Sequence, residues 1–174
     1  ASDERFPSIA SLYLKDPKGW KRFWKPEDKP FYPFAWGSQT IYSTPSDYAT
    51  FLTMFMNVGR VGDRQLLSPA AIDRMLAPVS KTKMMGSNEE LPTGFKNLTS
   101  YYGQMMMTYR SNDNPNDAPT VIGHSGSDGT YAWAWPKNEL VVLVFTQSRG
   151  TLVGGELESA IDQLLIRGDV AGFR

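Results

Sequence analysis

The chain has 174 residues, enough for one hydrophobic core and few for two ordinary domains. Hydrophobic residues make up 41% and charged residues 21%, which is typical of a folded globular protein. Basic and acidic residues both number 18, so no net charge attracts nucleic acid or an anionic membrane. The absence of cysteine excludes disulfides, thiolate metal sites and a cysteine nucleophile, and no apolar run approaches the ~20 residues of a membrane span. We expect one domain over 1–174, with no nucleic-acid partner and no membrane span.

Residues 1–43 are rich in aromatic side chains and are repeatedly interrupted by proline. The prolines of this segment are Pro7, Pro17, Pro26, Pro30 and Pro33. Proline lacks a backbone N–H and fixes φ, so this pattern disfavours long helices and central strands. The aromatic residues could mark a ligand groove, but they are more typical of a loop-rich segment anchored on its own core. We therefore expect an irregular, aromatic-rich lead-in over 1–43.

Two helices are predicted over 44–78. Thr44 supplies a capping hydroxyl, Pro45 occupies the first helical position and an acid follows in the first turn, a combination typical of a helix start. Apolar residues then recur at helical spacing, at Tyr48, Phe51, Leu52, Phe55 and Met56. A Ser-Pro pair at 68–69 repeats the start signal, and Pro78 indicates the end of the second helix.

Antiparallel strands are predicted over 99–147. Residues 101–110 indicate one strand, and a polar turn follows that lacks the acid spacing of a calcium loop. Residues 129–135 and 140–145 form the pattern of a hairpin, and apolar spacing over 155–167 indicates a C-terminal helix. We expect an α+β fold, with an antiparallel sheet of about three to four strands, packed helices and a C-terminal helix.

His124 is the only histidine, which excludes a mechanism or zinc site that needs two imidazoles. It lies in Gly-His-Ser-Gly-Ser-Asp-Gly at 123–129, where small and turn-forming residues let a backbone pass close to another group. A structural loop has the same composition, so these residues alone favour a structural histidine. Ser125 does not fit a nucleophile elbow, because Ser127 stands where that motif requires glycine. No metal or organic cofactor is indicated.

Two segments in order resemble the superfamily of serine β-lactamases, penicillin-binding proteins and family VIII esterases. Residues 122–130, followed by an aromatic-rich strand and a Pro-x-Asn turn, resemble its third active-site motif in the form that reads His-Ser-Gly in place of Lys-Thr-Gly. Upstream, residues 36–48 resemble the glycine-rich approach and capped helix, and the Leu-Leu-Ser-Pro at 66–69 resembles the start of the next helix. The resemblance covers roughly 9–166 and implies a partial β-lactamase-like fold.

The resemblance implies part of an acyl-transfer site for a small ester, amide or β-lactam. His124, Ser125 and Gly126 would form an edge strand that binds substrate, and the N–H of Ser127 would donate to the oxyanion. Histidine in place of lysine weakens a fixed positive charge, because an ordinary imidazole is mostly neutral at pH 7. Ester or peptide hydrolysis is therefore expected ahead of strong β-lactam hydrolysis. The resemblance also favours a periplasmic or secreted location.

The nucleophile of this superfamily, the serine of Ser-x-x-Lys at a helix start, has only a weak match. Ser80 and Lys83 fit the motif literally, but they follow Pro78 and precede a loop, and neither Tyr-x-Asn nor Ser-x-Asn occurs as the second motif. We expect that Ala1 lies after the second motif. The chain would then be the C-terminal portion of a serine hydrolase, inactive alone and completed by an N-terminal half of the same fold or by a homo-oligomer. The alternative is a non-catalytic binding or assembly module that keeps half of the fold.

Overall fold

The computed structural model describes residues 4–28, 34, 41–82, 95, 97–126, 128–149 and 153–168. The α-helices in this part of the chain are α1 (Pro45–Met56), α2 (Pro69–Met75) and α3 (Val153–Ile161), and α3 continues as a π-helical segment, Asp162–Ile166. The strands are β1 (Leu12–Asp16), β2 (Gly19–Trp24), β3 (Arg60–Val61), β4 (Arg64–Gln65), β5 (Ser80–Lys81), β6 (Leu98–Tyr102), β7 (Met107–Ser111), β8 (Val121–Ser125), β9 (Thr130–Trp135), β10 (Leu140–Phe145) and β11 (Ser148–Arg149). None of the helices described here has the length and apolar character needed to cross a membrane.

A six-stranded antiparallel sheet forms the centre of the fold, with the order β10-β9-β8-β7-β6-β5. The α+β architecture is confirmed, but the sheet is larger than the three to four strands expected. One reason is that residues 101–110 are not a single strand. The chain reverses between β6 and β7, where Met105 has a positive φ of 61° and the Gly103 N–H donates to the Met106 carbonyl. The short strand β5 then extends the sheet beyond β6.

The N-terminal segment contains a hairpin where an irregular lead-in was expected. Strands β1 and β2 pair antiparallel, and β11 adds to β1 in parallel to complete a three-stranded sheet. The prolines flank these strands instead of interrupting them, because Pro17 lies in the hairpin turn and Pro26 follows β2. A proline at such a position removes no ladder hydrogen bond, which explains why the hairpin forms.

Helices α1 and α2 begin at the positions that their capping sequences predict. The Thr44 hydroxyl accepts from the Asp47 N–H at 3.1 Å, and the same hydroxyl donates to the Asp47 carboxylate at 2.9 Å. At α2, the Ser68 hydroxyl accepts from the Ala71 N–H at 3.2 Å. Each cap satisfies an N–H that has no partner within its helix, and this fixes the residue at which the helix starts.

The sheet has a hydrophobic cluster on each face. One cluster joins the sheet to α1 and α2 through Leu52, Met54, Phe55, Ile72, Met106, Ile122, Ala132 and Ala134. The other is aromatic and consists of Phe95, Met107, Tyr109, Val121, Trp133 and Trp135. Strand β9 therefore turns its alanines towards α1 and its tryptophans towards the opposite face, as the two-residue period of a strand requires.

The C-terminal π-helical segment is attached to β9 through a buried carboxylate. Asp162, which is 3% exposed, accepts from the Trp135 indole N–H at 3.2 Å. Its second oxygen accepts from the Arg167 guanidinium at 2.7 Å. A buried carboxylate is tolerated when its charge is paired and its oxygens accept hydrogen bonds. This group therefore joins the end of the chain to the aromatic face of the sheet.

A second buried charge joins the sheet to α2. Arg110 on β7 is 6% exposed, and its guanidinium donates to the Leu76 carbonyl at 2.7 Å and to the Asp117 carbonyl. Burial, the larger influence, lowers the pKa of Arg110, whereas the charge of nearby Tyr101 raises it. The Leu76 carbonyl belongs to the C-terminal end of α2, where a cation also complements the helix dipole.

We predict that Arg110→Met destabilises the fold by about 1–3 kcal/mol, because the hydrogen bonds from its buried guanidinium to the Leu76 and Asp117 carbonyls are lost. Urea unfolding followed by tryptophan fluorescence would measure the change in the free energy of unfolding. Arg74→Met is the matched control, because Arg74 is an exposed residue of α2. Equal stability of the two variants would contradict the structural role of Arg110.

Candidate functional site

The His-Ser-Gly motif lies at the C-terminal end of β8. His124 and Ser125 pair with Ala132 and Tyr131 of β9. On the other side, the ladder between β7 and β8 ends at the Met107–Gly123 pair, one residue before His124. The expectation of an edge strand therefore needs correction, since β8 as a whole is an inner strand of the sheet. Only its end continues past β7, and there His124 and Ser125 are half-buried and Gly126 is exposed.

Gly123 brings β8 close to β9 directly before the histidine. Its φ is +151°, which side-chain-bearing residues rarely adopt, and a Cβ at this position would overlap the carbonyl oxygen of Ala132. The Trp133 side chain and backbone also lie against the glycine. Since the close approach lies next to His124 in the chain, it contributes to fixing the position of the histidine on the sheet.

The His124 imidazole has a hydrogen-bond partner at each nitrogen. The Tyr102 hydroxyl on β6 lies 2.8 Å from Nε2, and the Ser125 carbonyl oxygen lies 2.6 Å from Nδ1. The Tyr102 and His124 rings meet edge to face, with centroids 5.6 Å apart and an interplanar angle of 88°. These contacts hold the imidazole in one orientation.

A tight turn follows the motif. The Gly126 N–H donates to the Thr130 carbonyl at 2.6 Å, and the Gly129 N–H donates to the Gly126 carbonyl at 3.1 Å. The Thr146 hydroxyl, just beyond β10, donates to the Gly129 carbonyl at 2.7 Å. Ser127, the expected oxyanion donor, lies outside the described residues, but the residues on both sides of it belong to this hydrogen-bonded turn.

The same turn is joined to the N-terminal sheet by an ion pair. The Asp128 carboxylate accepts from the Arg149 guanidinium at 2.6 Å, and the Asp128 carbonyl accepts from the Ser148 N–H at 2.8 Å. The Arg149 guanidinium also lies over the Phe23 ring, 5.4 Å from its centroid. Strand β11 thus connects the turn after the motif with the β1–β2 hairpin.

The alternative nucleophile motif lies in a strand. Ser80 is exposed in β5 and pairs with Tyr102 of β6, so it does not start a helix. Lys83 lies outside the described residues. The strand conformation of Ser80 differs from the helix start at which the serine of Ser-x-x-Lys lies in this superfamily. Among the residues that the structure describes, no group of three or more potential metal ligands comes together.

Tyr102 and the Asp128–Arg149 pair are the parts of this site that sequence reasoning missed. Tyr102 meets His124 only because β6 and β7 form a hairpin, and a single strand over 101–110 would have placed it elsewhere. Asp128 stands beside the motif in the sequence, but its partner lies 21 residues later. No local spacing signals either contact, because both depend on strand order in the sheet.

The chain is an α+β protein whose His-Ser-Gly motif lies at the end of an inner strand of an antiparallel sheet. The family model described as Beta-lactamase matches residues 2–165. Because this match covers nearly the whole chain, the chain belongs to the beta-lactamase family. No curated protein sequence matches the chain significantly.

Two solved structures are similar to this chain, and the first of them supports the fold. Simvastatin synthase (LovD) from Aspergillus terreus, as the LovD6 mutant, is similar over 94% of this chain, with a TM-score of 0.62 and 17% identity. A proposed beta-lactamase from Bacteroides dorei DSM 17855 is similar over 68% of this chain, with a TM-score of 0.44 and 20% identity. The chain spans 44% of the length of the first protein and 39% of the second. At this identity, the likeness to simvastatin synthase concerns the fold alone.

We predict that Gly123→Ala lowers stability by roughly 2 kcal/mol or more, because the added methyl group would force β8 away from β9. Gly126→Ala is the matched control within the same motif, since its Cβ would lie 3.5 Å from the nearest atom, at Thr130, in ordinary contact. Thermal unfolding followed by circular dichroism would compare the two. A Gly123→Ala protein as stable as Gly126→Ala would show that β8 and β9 approach less closely than described.

Proposed function

We propose that this chain supplies the substrate-binding wall of a β-lactamase-like serine hydrolase that acts by acyl transfer. The observation that carries the proposal is the end of β8, where 124–126 extend past the ladder with β7 while Tyr102 holds the imidazole of His124. A strand end that is fixed in position and open on one side suits an acyl substrate lying along it. The substrate class would be small esters, amides or β-lactams.

The chemistry follows the pattern implied by the family. A serine oxygen attacks the carbonyl carbon, its proton passes to a lysine or tyrosine, and the leaving group departs from an acyl-enzyme that water later cleaves. The negative charge on the carbonyl oxygen needs two N–H donors, of which the Ser127 N–H would be one. Gly126 would let the substrate lie against the strand, because it has no side chain. The nucleophile would come from a segment outside this sequence.

One edge of β10 has no partner among the described strands, which supports a partner for this chain. Strand β10 lies at the end of the six-stranded sheet, and among the described strands only β9 pairs with it. Its sequence is Leu-Val-Val-Leu-Val-Phe, and all six residues are half-buried. Such an edge presents unpaired backbone groups beside apolar side chains, and natural proteins usually cover it. We propose that an N-terminal half of the same fold covers this edge, with self-association of the chain as the competing arrangement.

Esters are the favoured substrates in this proposal. The wall has a histidine where classical β-lactamases have a lysine, so it lacks the permanent ammonium charge that a lysine would offer to the carboxylate of a β-lactam. A protein that includes the nucleophile should therefore hydrolyse short-chain p-nitrophenyl esters faster than β-lactams. Much faster hydrolysis of β-lactams would reverse this ranking.

We predict that the purified 174-residue chain is not labelled by a fluorophosphonate probe, because Ser80, the serine of its single Ser-x-x-Lys match, lies in a strand and does not start a helix. In-gel fluorescence and mass spectrometry would detect the label. Labelling that disappears in Ser80→Ala would identify Ser80 as the nucleophile and contradict the proposed division of the site. Labelling at another serine would contradict it as well.

We predict that His124→Ala lowers kcat/KM for p-nitrophenyl butyrate in a longer protein that contains the nucleophile, by about tenfold or more if the imidazole contacts the bound substrate or orders the wall. Lys137→Ala is the control, because Lys137 is exposed in the turn between β9 and β10. Equal activity of the two variants would favour the alternative, a binding or assembly module whose histidine is structural.

A further inference from the structure

We propose that Tyr102 is a positioning residue that holds His124 as the neutral Nδ1–H tautomer, so that the imidazole presents no free N–H to a bound substrate. The proposal begins with the contact at Nδ1. A carbonyl oxygen only accepts hydrogen bonds, and the Ser125 carbonyl lies 2.6 Å from Nδ1. That nitrogen must therefore carry the hydrogen.

The contact at Nε2 follows from the first one. A neutral imidazole carries one N–H, so a hydrogen on Nδ1 leaves Nε2 as an acceptor. The Tyr102 hydroxyl, 2.8 Å away, is then the donor to Nε2. The opposite tautomer would keep the contact with Tyr102, but it would place the Nδ1 lone pair against the Ser125 carbonyl oxygen. The Ser125 contact therefore selects the tautomer, and the Tyr102 contact keeps the ring in the orientation in which Nδ1 faces that carbonyl.

Tyr102 also restrains the position of the whole His124 imidazole ring. Its ring meets the imidazole edge to face at 5.6 Å, and its strand is held in register by β5 on one side and by β7 on the other. Gly123 fixes the strand that carries His124 against β9. The hydroxyl and the imidazole are therefore held on two strands of one sheet, which limits the rotations that would exchange the two ring nitrogens.

This arrangement refines the substrate class, a step that rests on the proposed function. Both nitrogens of a neutral His124 are used within the chain, so this side chain has no donor to offer a substrate carboxylate. A neutral acyl group next to the scissile bond needs no such donor. The wall is therefore suited to uncharged esters and amides, and Tyr102 contributes to this selection through His124 without touching the substrate.

The test uses the fact that the chain contains a single histidine. Nitrogen-15 labelling of histidine and long-range proton–nitrogen correlation spectra report which ring nitrogen carries the hydrogen, without overlap from other residues. Spectra recorded at alkaline pH, where imidazole is neutral, should show a protonated Nδ1 and an unprotonated Nε2 as the main species. A main species protonated at Nε2 would overturn the proposal on the wild-type protein alone.

Two variants separate positioning from packing. Tyr102→Phe keeps the ring but removes the hydroxyl that holds Nδ1 against the Ser125 carbonyl. The imidazole can then rotate away from that carbonyl, so the tautomer ratio should shift towards Nε2–H by about two- to tenfold, the equilibrium equivalent of one hydrogen bond. Tyr101→Phe is the matched control, because it removes the hydroxyl of the adjacent tyrosine in β6, and the ratio should not change. An unchanged ratio in Tyr102→Phe, or an equal change in both variants, would contradict the proposal. The spectra need no substrate, so this result is independent of any failure to find acyl transfer.

Discussion

Strand β9 imposes the constraint on which the rest of the structure depends. Its side chains alternate between alanines beneath α1 and two tryptophans that are at most 1% exposed on the opposite face. A shift of one residue in its pairing would turn the tryptophans towards the helix and the alanines towards the aromatic cluster, so the register is strongly determined. That register pairs Ala132 with His124. The packing of the core therefore also sets the position of the candidate site.

Local chemistry in the sequence predicted much of this fold. The capping residues Thr44 and Ser68 locate the starts of α1 and α2, and the alternation of β9 locates the hairpin with β10. The turn at 103–106 was missed, because Met105 gives no signal that it adopts a positive φ, and the apolar pattern continues through it. Proline content was misleading over 12–24, where β1 and β2 form, since a proline excludes a strand only where its missing N–H is needed.

The candidate site likewise has one part that the sequence predicts and another that only the structure shows. The His-Ser-Gly segment is visible in the sequence because its chemistry is local, and its family match makes it a candidate. Its partners are not visible, because Tyr102 reaches His124 across a hairpin and Arg149 reaches Asp128 from β11, a strand of the three-stranded sheet. Strand order is a property of the whole fold. Sequence motifs can therefore indicate which strand carries a site, whereas the side chains that orient the site can be identified only from the structure.

The two edge strands of the central sheet differ in length and apolar character, and this difference indicates which edge a partner strand could pair with. At one end, β5 is only two residues long and leaves little edge for pairing, whereas β10 offers six half-buried apolar residues. Long apolar edges promote association, and short ones resist it. The turn after the motif is hydrogen-bonded to the end of β10 through Thr146. A partner strand that pairs with β10 would therefore lie close to the turn that follows the His-Ser-Gly motif, so the packing of that edge and the position of the motif depend on the same residues.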